Sequence, residues 1–238
     1  MINPPLKSVA PPFYRDCVAW WQPSLRGLST SAGEVDAVLP LDGNTTYRLQ
    51  DKNSSYKPTT VNIFRKNRLG IRATEGYGLD PDNSLQISGD FHIVLAISLD
   101  CIYLNMPFMP YDDFLTEFIF EDGDVAFYSG ASRLALTNSS PVGYNGEHSV
   151  VEISRNGSNE WNVVVNGTDV TSNTATSLTS DIRWTVGDGF PNYVLGTNEG
   201  VTWAAIGFWD SQQTSGYMDN VREYLYRELI DTTAVDLI

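Results

Sequence analysis

The sequence predicts an all-β protein, a two-sheet antiparallel sandwich closed by one C-terminal helix. Three observations carry this. Stretches of apolar/polar alternation recur along the chain, clusters of Gly, Asn, Asp and Pro separate them, and only the last segment shifts to helical spacing. With 238 residues, 42% of them hydrophobic and 12% aromatic, the chain has material for one large core. Neither a repeat nor a shift in composition marks a second domain.

Residues 1–16 hold four prolines, which cannot donate to a sheet ladder, so an extended N-terminal arm is expected over 1–16 and the sandwich over 17–238. In FHIVLAISLD (91–100), Phe91, Ile93, Leu95, Ile97 and Leu99 share an apolar face, and His92, Val94, Ala96, Ser98 and Asp100 form a more mixed one. The stretch from Ile102 to Tyr111 combines apolar residues with two prolines and reads as a buried bridge between strands or as an exposed contact loop. FLTEFIF (114–120) puts Phe114, Phe118 and Phe120 in register, and EDGD (121–124) turns the chain into a second strand. HSVVEISR and WNVVV flank the turn RNGSNE, and a second Asn-Gly at 166–167 follows. Both residue types tolerate positive φ, which tight turns require. IRWTV, YVLGT and VTWAAIGFWD are further short strands, with Trp161, Trp203 and Trp209 assigned to the core. From Thr214 onward, Tyr217, Val221, Tyr224, Leu225 and Leu229 recur at helical spacing; Ser215 is the expected N-cap, and Asp219 favours the helix dipole.

Acidic residues outnumber basic ones 29 to 15, a formal charge of -14, so the surface repels phosphate backbones and anionic lipid. Nucleic acid is not an expected partner. The N-terminal residues lack the apolar run of a signal peptide, and nowhere do about 18 apolar residues run together, so neither that export route nor membrane insertion is expected. Cys17 and Cys101 match no metal spacing and read as free buried thiols. The Asn-X-Ser/Thr triplets at Asn44, Asn53, Asn138, Asn156 and Asn166 read as turn chemistry.

The order of several short segments carries a resemblance. VAWW (18–21), Gly27-Leu28, SAGEV (31–35), LDGN (41–44), Pro58 and FHIVLAISLD are followed by HSVVEISRNG, VVVNGT, TVGDG, AAIGFWD and the segment YMDNVREYLYREL. In that order the chain, from about residue 17, resembles the concanavalin A-like lectin/glucanase superfamily, and within it the laminin-G-like jelly-roll modules of bacterial surface proteins and phage particle proteins. The resemblance implies a jelly-roll sandwich in which the hairpin ending in Val-Asn-Gly is structural.

Glycoside hydrolases of this fold need two carboxylates about 5–5.5 Å apart for retention or about 6.5–9.5 Å for inversion. The strand motifs of those families, Glu-X-Asp-X-Glu and Glu-X-Asp-X-X-Glu, are absent. Glu117 and Glu121 share a strand face but stand ~13 Å apart along the backbone, which favours solvated glutamates. The two histidines, His92 and His148, lie in no nucleophile–base pattern, and His92 reads as an ordinary satisfied side chain. No catalytic residue is assigned, and a glycoside hydrolase or a bacterial surface carbohydrate-binding module is the alternative reading.

Sugar recognition uses aromatic faces beside Asp, Asn or Glu. Tyr103, Tyr111, Tyr128, Tyr144 and Tyr193, placed in or near loops, with Asp112 and Asp113, are the glycan-binding candidates. Laminin-G-like modules often hold calcium at rim loops, which would fall here to Asp80, Asp82, Asp122 and Asp124; no other cofactor is expected. Since the chain starts at its own Met and carries one such module, the resemblance points to the phage branch. The expectation is a non-catalytic virion protein, a capsid decoration, head fibre or tail adhesin assembled in the host cytoplasm. Such a protein would be a homo-oligomer, bound to other virion proteins through the arm and displaying a sandwich to host-surface polysaccharide.

Overall fold

The computed structural model describes residues 11–50, 58–64, 68–74, 79–81, 85–87, 89–99, 105–109, 116–121, 124–129, 132–143, 147–175, 182–186 and 200–230. The first strands are β1 (Ala19–Trp21), β2 (Leu28–Ser31), β3 (Glu34–Val38), β4 (Leu49–Gln50), β5 (Thr59–Phe64) and β6 (Arg68–Thr74). Then come β7 (Asp80–Pro81), β8 (Leu85–Ile87), β9 (Phe91–Leu99), β10 (Asn105–Met109), β11 (Thr116–Glu121) and β12 (Asp124–Ser129). The last are β13 (Ser132–Ala135), β14 (His148–Arg155), β15 (Trp161–Val165), β16 (Thr168–Asp169), β17 (Ile182–Val186) and β18 (Gly200–Trp209), followed by helix α1 (Ser215–Glu228).

Among the described residues, twelve strands form one sheet in the order β16-β15-β14-β9-β18-β6-β5-β3-β4-β7, with β1 added on β18 and β2 on β3. Six form the other, β13-β12-β11-β10-β17-β8. The pairings are antiparallel, and β9 lies between β14 and β18, far from each in sequence. The expected all-β sandwich with a C-terminal helix is what the chain forms.

The core has two layers because the large sheet is covered on both faces. Phe91, Ile93, Leu95, Ile97 and Leu99 of β9 pack in the inter-sheet layer with Val151, Ile153, Trp161, Val163 and Val125. Val94 and Ala96, on the other face, pack with Trp20, Ala204, Ala205 and Trp209 beneath Met218, Val221 and Leu225 of α1. All nine residues of β9 are buried, the mixed face included, because α1 covers it. Small side chains there let α1 and Trp20 approach closely. At Gly207 a β-carbon would lie 2.6 Å from the Trp20 ring. A register shift between Trp203 and Ala205 sets Ala204 and Ala205 on the helix side and returns Ile206 and Phe208 to the inter-sheet side. Trp161, Trp203 and Trp209 are all core, as expected.

Asn166 and Gly167 form the two-residue turn between β15 and β16, with φ of 50° and 82°. The turn also reaches past its own hairpin, since Asn166 Oδ1 accepts the Val150 backbone N–H at 2.9 Å and lies 3.5 Å from the Tyr226 hydroxyl of α1. The 156–160 turn is different: Asn156 Oδ1 accepts the backbone N–H of Ser158 and Glu160, and Asn159 carries the positive φ of 58°.

Three local expectations are corrected. Residues 105–109 are strand β10, neither bridge nor loop, and Pro107, which has no N–H to donate, lies at a register irregularity in the β10–β11 pairing. The helix cap is Thr214, not Ser215: Thr214 is extended and its Oγ1 accepts the Tyr217 N–H, the geometry of a last non-helical residue. The described end of the expected arm is folded onto the body. Pro12–Arg15 make a 3-10 turn, and Phe13, 5% exposed, packs edge-on against Trp20, Tyr217 and Tyr224.

Candidate functional site

Charged side chains meet beneath α1. Glu152, 3% exposed, projects from β14 toward the helix, where its Oε1 accepts from Arg222 Nη1 at 2.5 Å. Its Oε2 lies 3.4 Å from His92 Nε2. Arg222 also pairs with Asp219 one helical turn earlier. Burial penalises the Arg222 charge, yet its bonds to Glu152 and Asp219 outweigh that and raise it above the usual arginine range. His92 Nδ1 faces the Gln213 backbone N–H at 3.4 Å, in the segment that enters the helix. These contacts clamp α1 to the sheet. They place Glu152 between His92 and the helix, and His92 departs from the expected fully satisfied side chain, since its buried Nε2 has no well-aligned hydrogen-bond partner among the described residues.

Beside this clamp, α1 and the Pro12–Arg15 turn enclose a cleft of about 370 Å³. Tyr217, Asn220, Glu223, Tyr224 and Arg227 line it from the helix; Phe13 and Asp16 close the other side. The helix places them together because positions 217, 220, 224 and 227 fall at i, i+3, i+7 and i+10. The Tyr217 hydroxyl lies 3.5 Å from both the Phe13 carbonyl and Asp16 Oδ2. Behind it, the indole N–H of Trp209 reaches toward that hydroxyl but has no well-aligned acceptor, although Trp209 is 1% exposed. Tyr224 donates to Gln22 Oε1 at 3.0 Å, and the Arg227 guanidinium sits 5.9 Å over its ring.

Burial pushes Tyr217, Tyr224 and Tyr226 up to about 12, and the Cys17 thiol, which donates to the Tyr14 carbonyl at 3.0 Å, up to about 12 as well. All four are neutral when protonated, and in the unfolded chain the phenols ionise near 10.0 and the thiol near 9.0. The stabilisation is therefore complete below pH 9.0 and falls as pH rises towards about 12. Urea unfolding followed at stepped alkaline pH is expected to show a midpoint that declines over this window, with the phenolate absorbance of the folded protein delayed beyond that of the denatured one. A midpoint unchanged up to pH 12 contradicts this.

The sequence-predicted candidates do not converge here. Tyr103, Tyr111, Asp112, Asp113, Tyr144 and Tyr193 lie outside the described residues, as do Asp82, Asp122 and Cys101. Tyr128, expected in or near a loop, is in strand β12, paired with Glu117 of β11 and Arg133 of β13. Asp80 is on β7 of the large sheet and Asp124 opens β12 of the other. Asp124 Oδ1 accepts from Thr137 Oγ1 and the Ser140 N–H at 2.9 and 2.8 Å, which ties the start of β12 to the segment that follows β13. Among the described residues no three His, Cys, Asp or Glu side chains group as a metal site would require. The cleft residues were missed because Tyr217 and Tyr224 register as helix periodicity. The available signal was that both carry a polar tip where a core position takes Leu.

No protein-family model matches the chain, and no curated protein matches it by sequence. Solved structures do match in fold. The binding domain of Paraclostridial mosquitocidal protein 1 superposes with a TM-score of 0.61 at 12% identity, over 89% of this chain and 53% of that one. The binding domain of botulinum neurotoxin serotype D gives 0.58 at 11%, over 87% and 50%. Trypanosoma rangeli sialidase in complex with sialic acid gives 0.55 at 12%, over 92% and 34%. The chain thus spans about half the length of the toxin domains and about a third of the sialidase. What it shares with them is the β-sandwich fold.

Proposed function

We propose that this protein is a non-catalytic carbohydrate-binding sandwich, carried on a virion surface and presented to host-surface polysaccharide. The observation that carries the binding reading is the cleft between α1 and the Pro12–Arg15 turn, where aromatic rings stand beside carboxylates, an amide and a hydroxyl. Such a mixture suits a pyranose, which offers an apolar C–H face and a rim of hydroxyls. The fold of toxin binding domains and of a sialidase solved with sialic acid supports a lectin-like role. The separation of Glu117 and Glu121 along β11, ~13 Å, supports a non-catalytic one. The virion placement rests on the resemblance to laminin-G-like modules of phage particles.

The test is binding of the purified chain to an immobilised panel of bacterial polysaccharides, with calcium and then with chelator. Saturable binding that persists in chelator and is lost in Tyr217→Ala is expected. Binding lost in chelator moves the site to the acidic turns, and a blank panel under both conditions leaves a structural part of a particle.

A further inference from the structure

The imidazole of His92 holds the entry to α1 by the one nitrogen that a further proton would take. His92 is 6% exposed on β9, and its Nδ1 accepts the Gln213 backbone N–H at 3.4 Å, just ahead of the helix that begins at Ser215. A ring nitrogen that accepts carries no hydrogen, so the neutral imidazole has its proton on Nε2, which lies 3.4 Å from Glu152 Oε2 without being aligned to it. The next proton enters only at Nδ1. There it faces another donor, and the contact with Gln213 is lost.

The charges around the ring leave room for that proton. Glu152 faces it from β14, and α1 brings Arg222 and Asp219, so the cluster holds one more negative group than positive. From β18 comes the uncharged Trp209 ring, edge-on at 6.2 Å; Ser154 is the neutral neighbour across the β14–β9 pairing; and residues 210–214 carry a single charge, the exposed Asp210. Protonated His92 balances the cluster. Glu152 uses Oε1 for Arg222 and Oε2 for His92, so a closer contact with one does not require giving up the other.

What His92 ties down leads into the cleft. Thr214 follows Gln213 directly, and its Oγ1 and carbonyl accept the Tyr217 N–H at 3.3 and 3.1 Å. Further along, α1 is held by Arg222 on Glu152 and by Glu228 on Arg68. Release at Gln213 is therefore confined to the first turn.

We propose that His92 is a proton-operated catch: neutral, it fastens the segment before α1 to the sheet; protonated, it turns to Glu152 and lets that segment and the first helical turn loosen.

Amide hydrogen exchange of the full chain, followed residue by residue by NMR at pH 8 and pH 5 and corrected for the intrinsic rate at each, tests this together with the ring-nitrogen shifts of both histidines. The neutral His92 ring is expected to carry its proton on Nε2, and the acidic one a proton on both nitrogens. Between the two conditions the protection of Gln213 and Tyr217 is expected to fall about fivefold, the worth of one modest hydrogen bond, while Val94, Ala96 and Val150 beneath the helix keep theirs. His92→Asn, whose Oδ1 can stand in for Nδ1 without titrating, is expected to abolish the difference. His148→Gln, on the other histidine of the chain, is expected to leave it unchanged. Equal Gln213 protection in the two conditions overturns the proposal, as does a His92 ring that stays neutral in acid or carries its single proton on Nδ1. A difference that survives His92→Asn gives the sensing to another group and overturns it too. Should the Asn variant not fold, exchange and ring shifts of the unaltered chain decide. None of these readouts involves a saccharide, so the carbohydrate reading of the cleft stands or falls separately.

Discussion

Glu152→Ala is expected to cost about 3–5 kcal/mol, because it leaves the Arg222 guanidinium and His92 without the buried carboxylate between them. Urea unfolding should show a lower midpoint at an unchanged slope, since the surface exposed on unfolding is the same. Glu152→Gln keeps the shape and one acceptor, so a smaller loss of about 1–3 kcal/mol is expected. The double change Glu152→Leu with Arg222→Leu should recover most of the loss, because a buried pair replaced by apolar groups is often near neutral. A single Glu152→Ala change that shifts stability by less than about 1 kcal/mol would show that the clamp does not hold α1 to the sheet.

Truncation at residue 17 is expected to cost about 3–5 kcal/mol, the range for removing a buried Phe side chain. Phe13 sits 5.0 Å from the Trp20 ring and 5.3 Å from Tyr224, edge-on to both, and its loss opens the layer beneath α1. The same cut removes Asp16 and one wall of the cleft, so saccharide binding is expected to disappear with stability. Truncation at residue 11 keeps Phe13 and these contacts. It is therefore the variant that tests attachment to a particle: on the virion reading it is expected to abolish incorporation while the urea midpoint matches that of the full chain. A protein truncated at 17 with an unchanged midpoint would remove Phe13 from the core.

Much of the fold could be read from local pattern. Phe91 to Leu99 alternates because one face of β9 meets the opposing sheet, and the period of 2 shows in any window that long. The Asn166-Gly167 turn was legible for a similar local reason, since a two-residue hairpin needs positive φ at both positions. Strand β10 was not legible, because Pro107 signals a break and only the register irregularity in the pairing accommodates it. The second buried face was missed as well. Val94, Ala96, Ala204 and Ala205 are small, so their apolar character is weak in a local window, and the register shift after Trp203 interrupts the alternation of β18.

The candidate site was less accessible still. Tyr128 was placed in or near a loop from its neighbours in sequence, while its pairing with Glu117 and Arg133 depends on two partner strands. Tyr217 and Asp16 are 201 residues apart, and Glu152 and Arg222 are 70 apart.

By itself the sequence determined the all-β class, the helix that closes the chain, the tryptophan core and the acidic surface, since alternation, helical spacing and charge are properties of neighbouring residues. Only the tertiary structure decided that α1 lies on the outer face of the large sheet, that Glu152 is shared by His92 and Arg222, and that Phe13 and Asp16 meet Tyr217 across a cleft. Those contacts join segments far apart in the chain, and each forms only when burial of a whole face brings its elements together.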